Sequence, residues 1–203
     1  MRLYSYVVAR DFGFAPNPFY GFCTLATCKP LIRKTARIGD WVVGTGSAER
    51  ARQGYLVYVM QVSEVIAFDE YWSDPRFAEK RPNLRGSKKQ AFGDNIYHRD
   101  TEGGPWLQAD SHHSLSDGTA NPRNVEHDTQ TPNVLIATDF AYFGGEGPEI
   151  PAELRNFDGR DICAVRGHKN RFPAPLVDAF ITWFRSLGAQ GYVGAPLDWS
   201  RTR

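Results

Sequence analysis

The chain has 203 residues, of which 41% are hydrophobic and 13% aromatic, with 19 glycines and 13 prolines. That supplies a packed core for one domain, and the turn content favours short strands over long helices. A formal charge of +1 excludes the global basic field of a non-specific DNA coat, so nucleic-acid contact needs a local basic patch.

The N-terminus MRLYSYVVAR lacks the apolar run of a signal peptide, and no segment approaches the length of a membrane span. Cys23, Cys28 and Cys163 form an odd set without CxxC spacing, which supports neither a disulfide framework nor a structural zinc site. The expected setting is cytoplasm with reduced thiols.

Residues 3–8 alternate as a strand, with Leu3, Ser5 and Val7 on one side. ARDFGFAPNPFYGF (9–22) then reads as a Pro-stiffened aromatic loop, whose rings either face a ligand or pack inward over a core. FCTLAT (22–27) reads as a short strand or a turn of helix. In ARIGDWVVGTGS (36–47), Gly39-Asp40 marks a tight turn and Trp41 launches a strand. YLVYVMQVSEVIAF (55–68) reads as one long strand, apolar on both faces and therefore central in a sheet or barrel. DEYWSDPRF (69–77) reads as a short helix or turn, with Asp69 and Ser73 as capping candidates.

From Arg76 to Lys89 six basic side chains accompany one acid, Glu79. The run is either a solvated face or an extended loop that lies along phosphates, with Arg81, Arg85, Lys88 and Lys89 as the phosphate-binding candidates. Residues 90–132 show little periodicity beyond brief strands at NIYH and PWLQ, and such a long irregular stretch is expected to be functional. NVLIATDFAYFGG (133–145) restores a strand. PLVDAFITWFRSLG (175–188) is an amphipathic helix with a Leu176, Phe180, Phe184, Leu187 stripe and Gly188 as its stop. The strands near 3–8, 41–45, 55–67 and 133–138 are expected to share one strongly curved sheet or barrel.

The densest polar cluster is ADSHHSLSDG (109–118). On an extended segment His112 and His113 point to opposite sides, so at most one readily faces a given pocket. His98, Asp100, His112 and Asp117 are the available metal ligands. Their spacing matches no established signature, and no metal or other cofactor is expected. Ser111 or Cys23 beside a histidine would provide a nucleophile and a base, though without a Gly-x-Ser-x-Gly elbow. Acid–base work falls more readily to Asp94, His98 or His112. GTGS (44–47) could set backbone amides near a phosphate, but it lacks the lysine of a P-loop.

The phrases IGDWVVG (38–44) and VYVMQVSEV (57–65) resemble the PUA-like superfamily, which includes the EVE, ASCH and YTH domains. Over nearly the whole chain, YSYVVARDFGFAPNPFYGFCTLATCKP, GDNIYH and TDFAYFGG resemble the bacterial nucleotide modification associated domain family, second type. The first resemblance implies an α+β, PUA-like β-barrel or curved sheet with flanking helices over 1–203, and an aromatic-lined pocket for a base. The long irregular insertion would lie at about 76–132. The second resemblance implies a nucleic-acid-modification or defence context without specifying a reaction.

Three function classes follow. The leading one is a domain that binds nucleic acid or a nucleotide carrying a modified base. Its pocket draws on Phe12, Asn17, Phe19 and Tyr20, and on Asp94, Asn95, Tyr97, His112, His113 and Ser114, because flipped bases are held by stacking and edge hydrogen bonds. The second is an enzyme acting on such a base by acid–base chemistry. The third is a module that binds a protein partner. Binding alone predicts histidines that lie apart or are individually hydrogen-bonded, whereas catalysis predicts titratable groups converging in one cleft.

Overall fold

The computed structural model describes residues 1–200. Its strands are β1 (Leu3–Val8), β2 (Cys23–Leu25), β3 (Trp41–Gly46), β4 (Leu56–Gln61), β5 (Glu64–Ala67), β6 (Tyr97–His98), β7 (Leu107–Gln108), β8 (Asn133–Ala137), β9 (Asp139–Tyr142), β10 (His168–Lys169) and β11 (Gly191–Tyr192). Its helices are α1 (Pro30–Thr35), α2 (Phe68–Ser73), α3 (Lys88–Ala91), α4 (Pro122–Asp128), α5 (Ala152–Arg155) and α6 (Ala174–Ser186). Among the described residues no helix is long and apolar enough to cross a membrane. The chain divides into two compact units.

The first unit holds Met1–Asp11, Ala36–Ser63 and the described residues from Ala137 onward. It is built on a mixed sheet in the order β10-β1-β3-β4-β9-β11. β1 runs parallel to β3, and β9 parallel to β11, while the other neighbours are antiparallel. The sheet ends on the two-residue strands β10 and β11 and is open, so the expected closure into a barrel is not found. Gly44 marks where β3 crosses β4 most tightly: a Cβ there would meet the Tyr58 ring at 2.4 Å, and the register shifts between Gly44 and Thr45. Helix α6 lays Leu176, Val177, Phe180 and Phe184 into a core with Leu3, Trp41, Val43 and Val59. Gly188, with φ +60°, ends the helix as its spacing predicts.

The second unit is formed by Phe12–Thr35 and Glu64–Ile136. Its sheet has the order β2-β8-β5, with β5 and β8 antiparallel, and β6 pairs with β7 as a short ribbon. Phe14, Ile66, Phe68, Tyr71, Phe77, Ile96 and Tyr97 pack its core.

Two expected strands are each divided between the sheets. The apolar run 55–67 leaves β4 after Gln61, where the Val62 N–H bonds to Asp40 O at 2.8 Å, and resumes as β5 in the other sheet. Residues 133–142 likewise pass from β8 to β9 at Thr138. The four strands therefore do not share one sheet. Apolar character persists through both breaks because each half is buried in its own core. The irregular segment 90–132 contains an unpredicted helix, α4, capped by the Asn121 side chain accepting from Arg123 N at 3.1 Å, with Pro122 in its first turn. Asp69 and Ser73 do not cap α2, whose N-cap position is Ala67 without a side-chain bond. Asp69 instead accepts from Arg99 Nε at 2.8 Å.

Candidate functional site

The second unit gathers the titratable side chains that converge most closely. Their frame begins at the turn between β2 and α1. Cys28 and Lys29 both adopt left-handed backbone, with φ of +57° and +43°. Two consecutive non-glycine residues there store strain that the surroundings must hold. Arg33, fully buried on α1, does the holding. Its Nε donates to Cys28 O at 2.8 Å and its Nη1 to Asn133 O at 2.8 Å, while Nη2 donates to Asp128 O. The guanidinium also lies 5.2 Å from the Phe68 ring centre. Burial pushes Arg33 down to about 10, against the pull of Asp128, Cys28 and Tyr97.

Asp128 closes α4 with its carboxylate wholly buried. Oδ2 accepts from Tyr97 Oη at 2.9 Å and faces His113 Nδ1 at 3.0 Å. Oδ1 accepts the Cys28 N–H at 2.8 Å and faces His127 Nδ1 at 3.0 Å. The far side of the His113 ring, Nε2, lies 3.7 Å from Cys28 Sγ. Burial raises the Asp128 carboxyl, but His113, His127 and Arg33 outweigh it and hold the group below the usual carboxylate range. Burial lowers His113, yet its contacts with Asp128 and Cys28 prevail and raise the imidazole to about 9. The result is a thiol, an imidazole and a carboxylate in line, with the half-buried thiol and imidazole at the outer end.

An aromatic cluster adjoins the imidazoles. Phe12 and Phe92 stack at 5.1 Å and 14°. The exposed His112 ring sits 4.6 Å from Phe12, 5.2 Å from Phe92 and 5.4 Å from Phe14. Phe14 also meets His113 at 4.6 Å. The two histidines do not point to opposite sides. Ser114 N bonds back to Ser111 O at 3.0 Å, so the segment turns and both rings reach Phe14, 6.2 Å apart.

The other residues expected to bind a ligand lie as follows. Asp94 is fully buried, with Thr24 Oγ1 at 2.7 Å and Tyr71 Oη at 2.8 Å, and burial raises its carboxyl. Asn95 Nδ2 donates to Tyr71 O at 2.9 Å and Phe77 O at 3.3 Å. Asn17 Oδ1 accepts from the buried Lys80 Nζ at 2.6 Å. Phe19 is buried with Lys89 Nζ 5.8 Å from its ring centre, and Tyr20 is half-buried with φ +59°. Ser114 Oγ accepts from Ser111 N at 2.9 Å, and Ser111 Oγ accepts from His113 N at 3.3 Å. His98 stacks on Trp72 at 3.9 Å and 8°.

In the basic run, Lys80 is withdrawn into the core and Arg81 stacks over Trp72 at 4.4 Å, while Arg85, Lys88 and Lys89 are exposed. Residues 44–47 lie in the first unit, where Ser47 caps a 3-10 turn by accepting from Glu49 N at 3.2 Å. Gly46 and Ser47 border a cavity of about 10 Å³, room for one water.

Sequence reasoning therefore singles out His113, Tyr97, Phe12 and His112 but misses Cys28, Asp128, His127, Arg33 and Phe92. The Asn121-Pro122 pair was the available signal for α4, and α4 is what delivers Asp128. Cys23, the thiol weighed from the sequence, is fully buried, which raises it strongly.

Comparison with curated proteins and with solved structures finds no match. The profile of nucleotide modification associated domain 2 matches residues 1–203, and the chain belongs to that family.

Proposed function

We propose that the second unit recognises a nucleotide, or a base within nucleic acid, that carries a modification. The observation that supports this reading is the convergence of the 12–14 loop with residues 92 and 112–113 on one aromatic–imidazole cluster. Phe12 and Phe92 are half-buried and His112 is exposed, so the cluster, with its aromatic faces, lies partly open to solvent rather than sealed in the core. A base stacked on such a face gains about 1–3 kcal/mol irrespective of its identity. Imidazole edges add donors and acceptors that discriminate among base edges, because a buried donor left unpaired costs about 1–3 kcal/mol.

Helix α3 leads directly into Phe92, and its Lys88 and Lys89 are exposed beside Arg85. That places cations within a few residues of a stacking ring, as a nucleotide's phosphate requires. The membership in a nucleotide-modification family supplies the context. The likeness of 36–77 to PUA-like proteins adds an analogy for an aromatic base pocket. A DNA-modification or defence role in the cytoplasm completes the proposal.

Titration of free nucleotides and of modified and unmodified oligonucleotides tests it. Phe12→Ala and His112→Ala should each weaken binding while the fold persists. Replacing Lys88 and Lys89 by Gln should weaken all ligands alike and flatten the salt dependence. A parent protein that binds none of these ligands, or folded variants that bind as the parent does, overturns the reading and favours a protein-interaction module.

A further inference from the structure

We infer that Cys28, His113 and Asp128 form a nucleophilic relay in which the Cys28 thiolate attacks an acyl carbon borne by the bound base. Only the substrate class rests on the base-recognition reading. The reactivity of the thiol stands on geometry alone. Nε2 of His113 faces Sγ at 3.7 Å, and Nδ1 of the same ring is fixed by the Asp128 carboxylate at 3.0 Å. That fixes the ring's orientation, with Nδ1 held on the carboxylate and Nε2 turned to the thiol. The same carboxylate accepts the Cys28 backbone N–H at 2.8 Å, so one group positions both the nucleophile's turn and the base's ring. Left-handed backbone at both Cys28 and Lys29 is the second observation: a strained turn is held in place where a reactive side chain is presented. A purely structural cysteine requires neither an oriented imidazole nor a strained turn.

The chemistry balances with water as co-reactant. In the neutral form of its ring His113 Nε2 takes the Sγ proton, and Sγ attacks the carbonyl carbon of an amide on the base. The C–S bond forms and the C–N bond breaks, with the leaving nitrogen receiving the proton from His113. Water then attacks the thioester, giving a proton to His113. The C–S bond breaks, the carboxylic acid departs, and the thiolate recovers the proton. Cys28 and His113 are the catalytic residues, and Asp128 is a positioning residue. The titratable and charged groups around them are Lys29 in the turn, Arg33 of α1, Tyr97 of β6, His112 beside His113, and His127 and Asp128 of α4.

The test uses the full chain. Iodoacetamide labelling, read at each cysteine by peptide mass, should reach Cys28 in the native protein and spare the buried Cys23 and Cys163. His113→Gln should slow labelling of Cys28 at pH 7 by about tenfold or more and change the shape of its pH profile. Asp128→Asn should act in the same direction. Should it fail to fold, His113→Gln, checked by its melting curve, carries the test. Cys28 that is refractory in the native protein, or labelled by His113→Gln at the parent rate from pH 5 to 9, overturns the relay.

A second arm uses N4-acetylcytidine 5′-monophosphate. The parent should release acetate and carry a transient acetyl on Cys28, while Cys28→Ser releases none. Binding without acetate release overturns the acyl assignment. No binding, with the His113-dependent labelling intact, overturns base recognition and leaves the relay standing.

Discussion

Asp94 and Asp128 are both wholly buried in the second unit, yet their environments drive them in opposite directions. Asp94 is met by the hydroxyls of Thr24 and Tyr71, and the nearest cation, Lys80, spends its hydrogen bonds on Asn17 and Phe22. Burial wins there and raises the carboxyl. Asp128 is met by two imidazoles and a guanidinium-bearing residue, and these outweigh its burial. Burial sets the penalty for a charge, and the partners decide whether the charge survives it. The first centre faces inward and serves architecture, whereas the second connects a buried anion to half-exposed groups able to do chemistry.

The largest expected effect lies in the inward centre. Lys80→Met removes the buried ammonium that donates to Asn17 O, Asn17 Oδ1 and Phe22 O and that acts on the buried Asp94. It should cost about 3–5 kcal/mol in denaturant unfolding, comparable to truncating the buried Phe180 to Ala in the first unit. Labelling of Cys28 in the folded fraction should not change, and a cost below about 1 kcal/mol would remove the architectural role.

Next comes His113→Gln, at on the order of 2 kcal/mol near pH 6. The folded imidazole, at about 9, lies above its ordinary 6.5. Its stabilisation is therefore fully present below the unfolded value and is lost as pH rises through 9. Melting curves of parent and variant should converge across that window, and a gap independent of pH would break the contrast. Tyr71→Phe, smaller at about 1–2 kcal/mol, removes a donor to Asp94 and should raise that carboxyl further. Carboxyl 13C titration should show Asp94 moving up while Asp128 stays below 3.8. The smallest change is Arg76→Ala. Its exposed pairs with Glu64 and Asp74 should contribute under about 1 kcal/mol.

The elements legible in the sequence are those whose burial pattern is local. Helix α6 shows its stripe and its stop, and β1 and β3 show their alternation and turn. The change of sheet at Val62 was not legible, because both halves of the run bury apolar faces and only backbone hydrogen bonds to Asp40 and Gly39 mark the break. The site was legible as a polar cluster containing His113, but its partners lie far along the chain: Asp128 is 15 residues away and Cys28 is 85. Neither carried a motif, and the helix bearing Asp128 was hidden in a segment with little apolar periodicity. The convergence of Phe12 and Phe92 on His112 was hidden for the same reason, since contacts across a tertiary fold leave no spacing to count.

The second unit is assembled from two separate stretches of chain, with Cys28 on the first and both His113 and Asp128 on the second. During synthesis at roughly 5–20 residues per second, Cys28 leaves the ribosome roughly 5–20 s before Asp128 does. Throughout that interval the turn lacks the carboxylate that fixes it and the thiol lacks its imidazole. Reactivity is thereby withheld from the nascent chain and arises only once the second stretch has docked. A fragment ending before α4 would carry the thiol without its activation, and adding the missing stretch in trans would be the way to restore it.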